Sequence, residues 1–241
     1  MKALPPPFQL VACDCIDSSN DEVRRRFDSG DAPGLVVWAK EQTAGRGRRG
    51  RTWISPRGNL HCSILLTARS PEEAPQLAFV AAAALRQGLH SLLPQLPFRC
   101  KWPNDLLVQG RKIAGMLLES AAPHVILGVG VNVVEAPDPA LYPAACLRQL
   151  GSGAEDFDVL SAFCEALSKW HGIWMTQGFA PIRQAWLDHA QGVGEAVTVR
   201  LADHSELQGR FSGLDAGGAL LLETEDGSVR PILAGDVFFP R

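Results

Sequence analysis

The chain has 241 residues, 46% hydrophobic and 20% charged, with a formal net charge of −3, proportions of an ordinary globular protein with room for one sizeable domain plus a small one. No run approaches the roughly 20 apolar residues that span a bilayer. The opening Met1-Lys2-Ala3-Leu4-Pro5-Pro6-Pro7 lacks the apolar stretch of a signal peptide, so a cytoplasmic protein with no membrane partner is expected.

Alternation over 8–16 predicts a strand, and Asp17-Ser18-Ser19-Asn20 reads as the cap of a polar helix over 21–27. Residues 34–39 read as a buried strand and 59–67 as another. Ser70 is expected to cap a long apolar helix running to about residue 93, with Pro71 at its first position. Strands follow at 98–102, 105–108, 113–120 and 125–133, with Gln109-Gly110 as a hairpin tip, and then helices at 160–177 and 181–190. Composition changes at Gln191-Gly192-Val193-Gly194. Beyond it, short alternating segments at 196–200, 207–211, 219–223 and 229–233 suggest a small barrel. The pattern is α+β, a mixed sheet flanked by helices, divided into 1–191 and 192–241.

Between the second and third strands lies Gly45-Arg46-Gly47-Arg48-Arg49-Gly50-Arg51, followed by Thr52-Trp53. Glycines let the backbone close around a ligand while fixed guanidinium charges face it, a pattern suited to a small polyanion such as a nucleoside triphosphate. A phosphate-binding loop of the Walker type is excluded, because Pro56 and Gly58 forbid the helix that must follow it. A solvated basic turn or an RNA-binding arginine segment remain alternatives. Lys101-Trp102-Pro103-Asn104-Asp105 presents a cation, an amide and a carboxylate at a strand end, or else is a capped turn. Arg111-Lys112-Ile113-Ala114-Gly115 adds a lysine and a glycine that permits close approach; Lys112 alone reads equally as an edge charge. Gly128-Val129-Gly130-Val131-Asn132 is only half a dinucleotide fingerprint, and no helix follows it. The six cysteines form no C-x-x-C pair and no histidine stands at ligand spacing beside them, which favours buried reduced thiols over a metal site.

In order, Asp17-Ser18-Ser19-Asn20, Glu41-Gln42-Thr43-Ala44 running into the arginine loop, Lys101 to Asp105, Arg111 to Gly115 and Gly128 to Asn132 resemble the biotin protein ligase family over nearly the whole chain. Ser19 stands where that family usually has threonine, and both supply a hydroxyl. The resemblance implies a fold related to class II aminoacyl-tRNA synthetases and lipoate ligases, with a C-terminal SH3-like barrel. It also implies the monofunctional form and no DNA partner, since about sixteen residues before Asp17 are too few for a winged helix-turn-helix.

The activity it implies has two steps. Biotin and MgATP give biotinyl-5′-adenylate, which then modifies one lysine of a biotin carboxyl carrier domain. Arg48, Arg46 and Lys112 become candidates for bridging the biotin carboxylate and the α-phosphate, and Arg51 and Lys101 for guiding the other phosphates. Asp105 would place Mg²⁺ or orient the incoming lysine; no other metal ligand is assigned. Ser18, Ser19, Asn20 and Gln42 suit the ureido edge of biotin, with Gly45, Gly47 and Gly115 giving close backbone approach. Asn104, Asn132 and Trp53 would meet the nucleotide. A lipoate or octanoate ligase and a nucleic-acid-binding regulator are the alternatives, and homodimerisation through a sheet edge is possible.

Overall fold

The computed structural model describes residues 3–137 and 143–239. Seven strands make one mixed sheet: β1 (Gln9–Cys13), β2 (Leu35–Ala39), β3 (Leu60–Thr67), β4 (Phe98–Lys101), β5 (Asp105–Val108), β6 (Arg111–Ala121) and β7 (His124–Val131). Their spatial order is β1-β2-β3-β7-β6-β5-β4. Only β1 and β2 pair in parallel, and α1 (Ser19–Asp28) supplies the crossover that a parallel pair requires. Gln109 and Gly110, with φ of 52° and 73°, make the tight β5–β6 turn expected of them.

Helix α1 covers one face of the sheet, burying Val23 against Leu35, Val37, Leu65 and Ile126. The alternate residues Val36, Ile64, Leu106 and Leu127 face the larger core. Over that core lie α2 (Leu77–Leu92), α3 (Asp156–Gln177) and α4 (Ala180–Leu187). At the α2–α3 crossing Gly88 is dictated by space: a Cβ there would stand 2.8 Å from the Ala162 carbonyl.

Two helix starts lie four residues or more from the sequence expectation. The apolar helix begins at Leu77 rather than Ser70, behind a 3-10 segment at Ala74–Gln76. Pro75 is the reason, since in a continuous helix its ring would meet the carbonyl of Pro71. Ser70 still caps locally, its Oγ accepting from Glu73 N at 3.3 Å. Helix α3 starts four residues early, where Glu155 and Asp158 form a capping box that masks the apolar period.

Beyond residue 192 come β8 (Ala196–Arg200), β9 (Glu206–Leu214), β10 (Leu220–Glu223), β11 (Val229–Ile232) and β12 (Asp236–Phe238), in the antiparallel order β11-β10-β9-β8-β12. Strand β12 is an addition to the sequence reading. No ladder joins β11 to β12 among the described residues, so the pairing is that of a five-stranded sheet rather than a closed barrel. Trp102 Nε1 donates to Gly218 O at 3.0 Å, fastening this sheet to the end of β4. All six cysteines are free, with Cys62, Cys100, Cys146 and Cys164 buried and Cys15 exposed. Among the described residues no helix is long and apolar enough to cross a membrane.

Candidate active site

Strand register builds the floor of a cavity. Residues paired across antiparallel strands share a face, and the pairs Asp105–Gly115, Gly115–Gly130 and Gly130–His61 run as one row across β5, β6, β7 and β3. Two adjacent glycines leave a hollow, and the Trp53 indole lies in it. A Cβ on Gly130 would stand 2.5 Å from Trp53 Nε1, and one on Gly115 would stand 3.3 Å from the same ring. In the next row Gly128 pairs with Ser63, and Asn20 from the first turn of α1 sits above Gly128.

The loop after β2 forms one wall. Gly45 O accepts from Trp53 N at 2.9 Å and Gly47 N donates to Arg51 O at 2.6 Å, folding the loop back on itself. Gly45 has no space for a side chain, since its Cβ would stand 2.5 Å from Ser55 Oγ. The arginines then separate by role. Arg46 donates to Asp21 at 2.5 Å and to Glu119 at 3.1 Å, and the Asp21 bond first among these raises its pKa. Arg48 points inward, Nη1 donating to Asn104 Oδ1 at 3.1 Å, and burial pulls its pKa down. Arg51 donates to Asp236 at 3.0 Å and Arg49 stands 3.5 Å from the same carboxylate.

The opposite wall comes from β4, β5 and β6. Lys101 is 7% exposed, with Nζ 5.9 Å from the Phe238 ring centre and 5.7 Å from that of Phe239. Burial lowers its pKa, with the Asp105 charge opposing. Lys112 Nζ lies 2.7 Å from Asp105 Oδ1 and 5.5 Å from the Trp53 ring centre. Asn104 Nδ2 donates to Met116 O at 2.5 Å, which aims its oxygen at Arg48. Asn132 is fixed by Nδ2 donating to Ala145 O at 3.2 Å.

Ser18, Ser19 and Asn20 are all buried, and the expected cap holds for the position of Ser18 alone. Ser18 holds the cap position without a side-chain bond, while Ser19 and Asn20 lie inside the helix and turn toward the sheet. Gln42 Oε1 accepts from Ser19 N at 2.7 Å, and Gln42 Nε2 donates to Ser55 Oγ at 2.9 Å.

The enclosed volume is about 310 Å³. It is lined by Ser18, Ser19, Asn20, Gln42, Arg46, Gly47, Arg48, Arg51, Trp53, Lys101, Asn104, Asp105, Lys112, Gly115 and Asn132. Every candidate named from sequence is therefore brought together except Gly45, which stands behind the wall. The sequence missed Asp236 and Val237, which reach the cavity from β12, and the carboxylates Asp21 and Glu119 that take up Arg46. A three-residue strand near the end of the chain carries no periodic signal. Among the described residues no group of three His, Cys, Asp or Glu side chains could hold a metal ion. The lining combines the hydroxyls and amides of Ser18, Ser19, Asn20 and Gln42 with the cations Arg48, Lys101 and Lys112, so it fits a ligand with both polar neutral and anionic groups.

Residues 13–132 match the biotin/lipoate A/B protein ligase family, and residues 192–239 match the biotin protein ligase C-terminal domain. The chain is 39% identical over 240 residues to the biotin–[acetyl-CoA-carboxylase] ligase of Paracoccus denitrificans, covering 92% of this chain and 97% of that protein. It is 34% identical to the bifunctional ligase/repressor BirA of Bacillus subtilis, covering 91% of this chain and 71% of the relative. Among solved structures it is similar to the biotin protein ligase of Aquifex aeolicus in complex with biotin and ATP. The TM-score there is 0.84 at 28% identity, covering 95% of this chain and 97% of the other.

Proposed function

The chain belongs to the biotin protein ligase family, and from that premise we propose how its cavity activates biotin with ATP and passes it to a lysine of a biotin carboxyl carrier domain. The observation that carries the reading is that Arg48, Lys101 and Lys112 line the same cavity as Ser18, Ser19 and Asn20.

In the first step the biotin carboxylate attacks the α-phosphorus of ATP, forming a C(=O)O–P bond as the bond to pyrophosphate breaks. Two unit charges about 4 Å apart repel by about 4 kcal/mol at an effective dielectric near 20, which is close to three decades of rate. Arg48 and Lys112 offset that repulsion, and Lys101 and Arg51 guide the outgoing phosphates. Arg46 reaches the ligand only by exchanging Asp21 or Glu119 for it, so in this arrangement it braces the loop. The ureido ring lies against Ser18, Ser19, Asn20 and Gln42, and adenine near Asn104 and Asn132, with the Trp53 indole over Gly115 and Gly130 as the apolar wall beside them. Mg²⁺ arrives with the nucleotide and neutralises phosphate charge.

In the second step the acceptor lysine amine attacks the acyl carbon and AMP leaves. Asp105 holds Lys112 through one oxygen, and we assign its other oxygen to orienting the incoming amine. We assign 1–191 to activation and 192–241 to a smaller module that adds Asp236 to the cavity. Homodimerisation would use the β1 edge, because the outer edge of β4 is occupied by Ala190 and Gln191; light scattering tests it. A cytoplasmic location follows from the need for ATP and a carboxylase.

The experiment is incubation with ATP, Mg²⁺ and either biotin or lipoate, following pyrophosphate release and adenylate mass. Biotin-dependent release that disappears in Arg48→Ala and Lys112→Ala is expected. Release with lipoate alone, or wild-type rates in both variants, would overturn the reading.

A further inference from the structure

Ser63, on the site face of β3, is fully buried and outside the lining of the cavity, yet it touches two residues that line it. Its Oγ lies 2.6 Å from Ser19 Oγ and 2.5 Å from Asn20 Oδ1. A carbonyl-type oxygen only accepts, so the single Ser63 proton is directed to Asn20, and Ser19 must supply the proton for the other bond. The three side chains therefore have one proton order: Ser19 donates to Ser63, and Ser63 donates to Asn20.

That order fixes what the cavity can recognise. With its proton committed inward, Ser19 Oγ meets a ligand as an acceptor. With its oxygen committed to Ser63, Asn20 offers Nδ2, which is buried and has no partner in a residue only 5% exposed. Gly128 is what lets the amide lie here, since a Cβ at that position would collide with Asn20 Oδ1. An unpaired buried donor is costly until a ligand oxygen meets it. One acceptor beside one donor complements a ring N–H beside a ring carbonyl, the edge of a cyclic urea.

We propose that Ser63 is a positioning residue that sets the hydrogen-bond polarity of Ser19 and Asn20, and so makes the cavity selective for a cyclic urea over the isosteric cyclic guanidinium. The inference rests on the biotin reading above and adds a determinant of specificity to it. In the guanidinium analogue the carbonyl is replaced by an N–H donor, which would point at the Asn20 N–H.

The test compares biotin with 2-iminobiotin in ATP-dependent pyrophosphate release. The wild type is expected to favour biotin by at least about a hundredfold in kcat/KM, since a site built around a buried hydrogen bond rejects the analogue lacking it. Ser63→Ala frees the Asn20 amide to turn. Its preference should shrink by about tenfold or more, mostly through KM for biotin, with kcat within about threefold of the wild type. Ser63→Thr keeps the hydroxyl and should restore the preference. Asn20→Asp presents only acceptors and should reverse the preference toward 2-iminobiotin. Equal losses on both substrates in Ser63→Ala, or an undiminished preference for biotin in Asn20→Asp, would overturn the proposal. A wild type that releases no pyrophosphate with biotin would instead remove the parent reading, and this one with it.

Discussion

Lys101 shows how single residues serve the site at the expense of the fold. It is 7% exposed, its pKa is lowered by burial, and replacing a buried charge by an apolar group of similar volume is often stabilising. Lys101→Met should therefore leave the thermal midpoint unchanged or raise it by about 2–4 °C per kcal/mol recovered, while kcat/KM for ATP falls about a hundredfold; calorimetry and pyrophosphate kinetics check both. A midpoint several degrees lower would show the ammonium to be structural. His61 gives a pH dependence. It is buried with Nε2 3.1 Å from Pro56 O, and burial lowers its pKa. Below about pH 6.5 the unfolded chain protonates this group while the folded chain does not, so the unfolded state binds more protons and stability falls as pH falls. His61→Gln, which keeps a donor near Pro56 O, should flatten urea-unfolding stability between about pH 5 and 6.5. At this scale the sequence was informative about charged motifs and less so about partners. Arg46 and Arg48 look alike in the chain, and only the fold shows that Arg46 faces Asp21 and Glu119 while Arg48 faces Asn104.

Elements were legible where a period or a turn announced them. The Gln109-Gly110 hairpin, the buried β2 and the long α3 all carry local signals. The helix start at Leu77 and the strand β12 do not, because Pro75 and a three-residue strand act through sterics and long-range pairing. Glycine spacing on β7 was visible, but its occupant was not: the hollow receives the protein's own Trp53. Gly130→Ala tests this. The added Cβ would stand within 2.6 Å of the indole, and Trp53 sits on a loop that can shift, unlike a packed core side chain. The expected result is a stability loss of about 1–3 kcal/mol, with KM for biotin or ATP raised about tenfold or more. A loss of several kcal/mol with unchanged KM would mean that the indole is a core element rather than a wall of the site.

At the scale of the molecule, both sheets contribute to the cavity, and one carboxylate of the smaller sheet holds the arginine loop of the larger. Asp236 on β12 holds Arg51 at 3.0 Å and Arg49 at 3.5 Å, from a segment 185 positions away in the chain from Arg51. Nothing local in the sequence could show this, since the contact exists only when the small sheet is docked through Trp102 and Gly218. The pair is partly buried, with Asp236 18% and Arg51 39% exposed in their side chains, so its direct energy should be modest, about 1 kcal/mol. Its effect on geometry should be larger, because two arginines of the ligand-facing loop lose their anchor together. Asp236→Asn should raise KM for ATP about tenfold with little change in kcat, and Arg51→Ala should do at least as much. If Asp236 acts by holding Arg51, the double variant should resemble Arg51→Ala alone, with a coupling of about 0.5–3 kcal/mol. Full additivity in KM for ATP would mean that the two residues act independently, leaving the small sheet no positioning role through this pair.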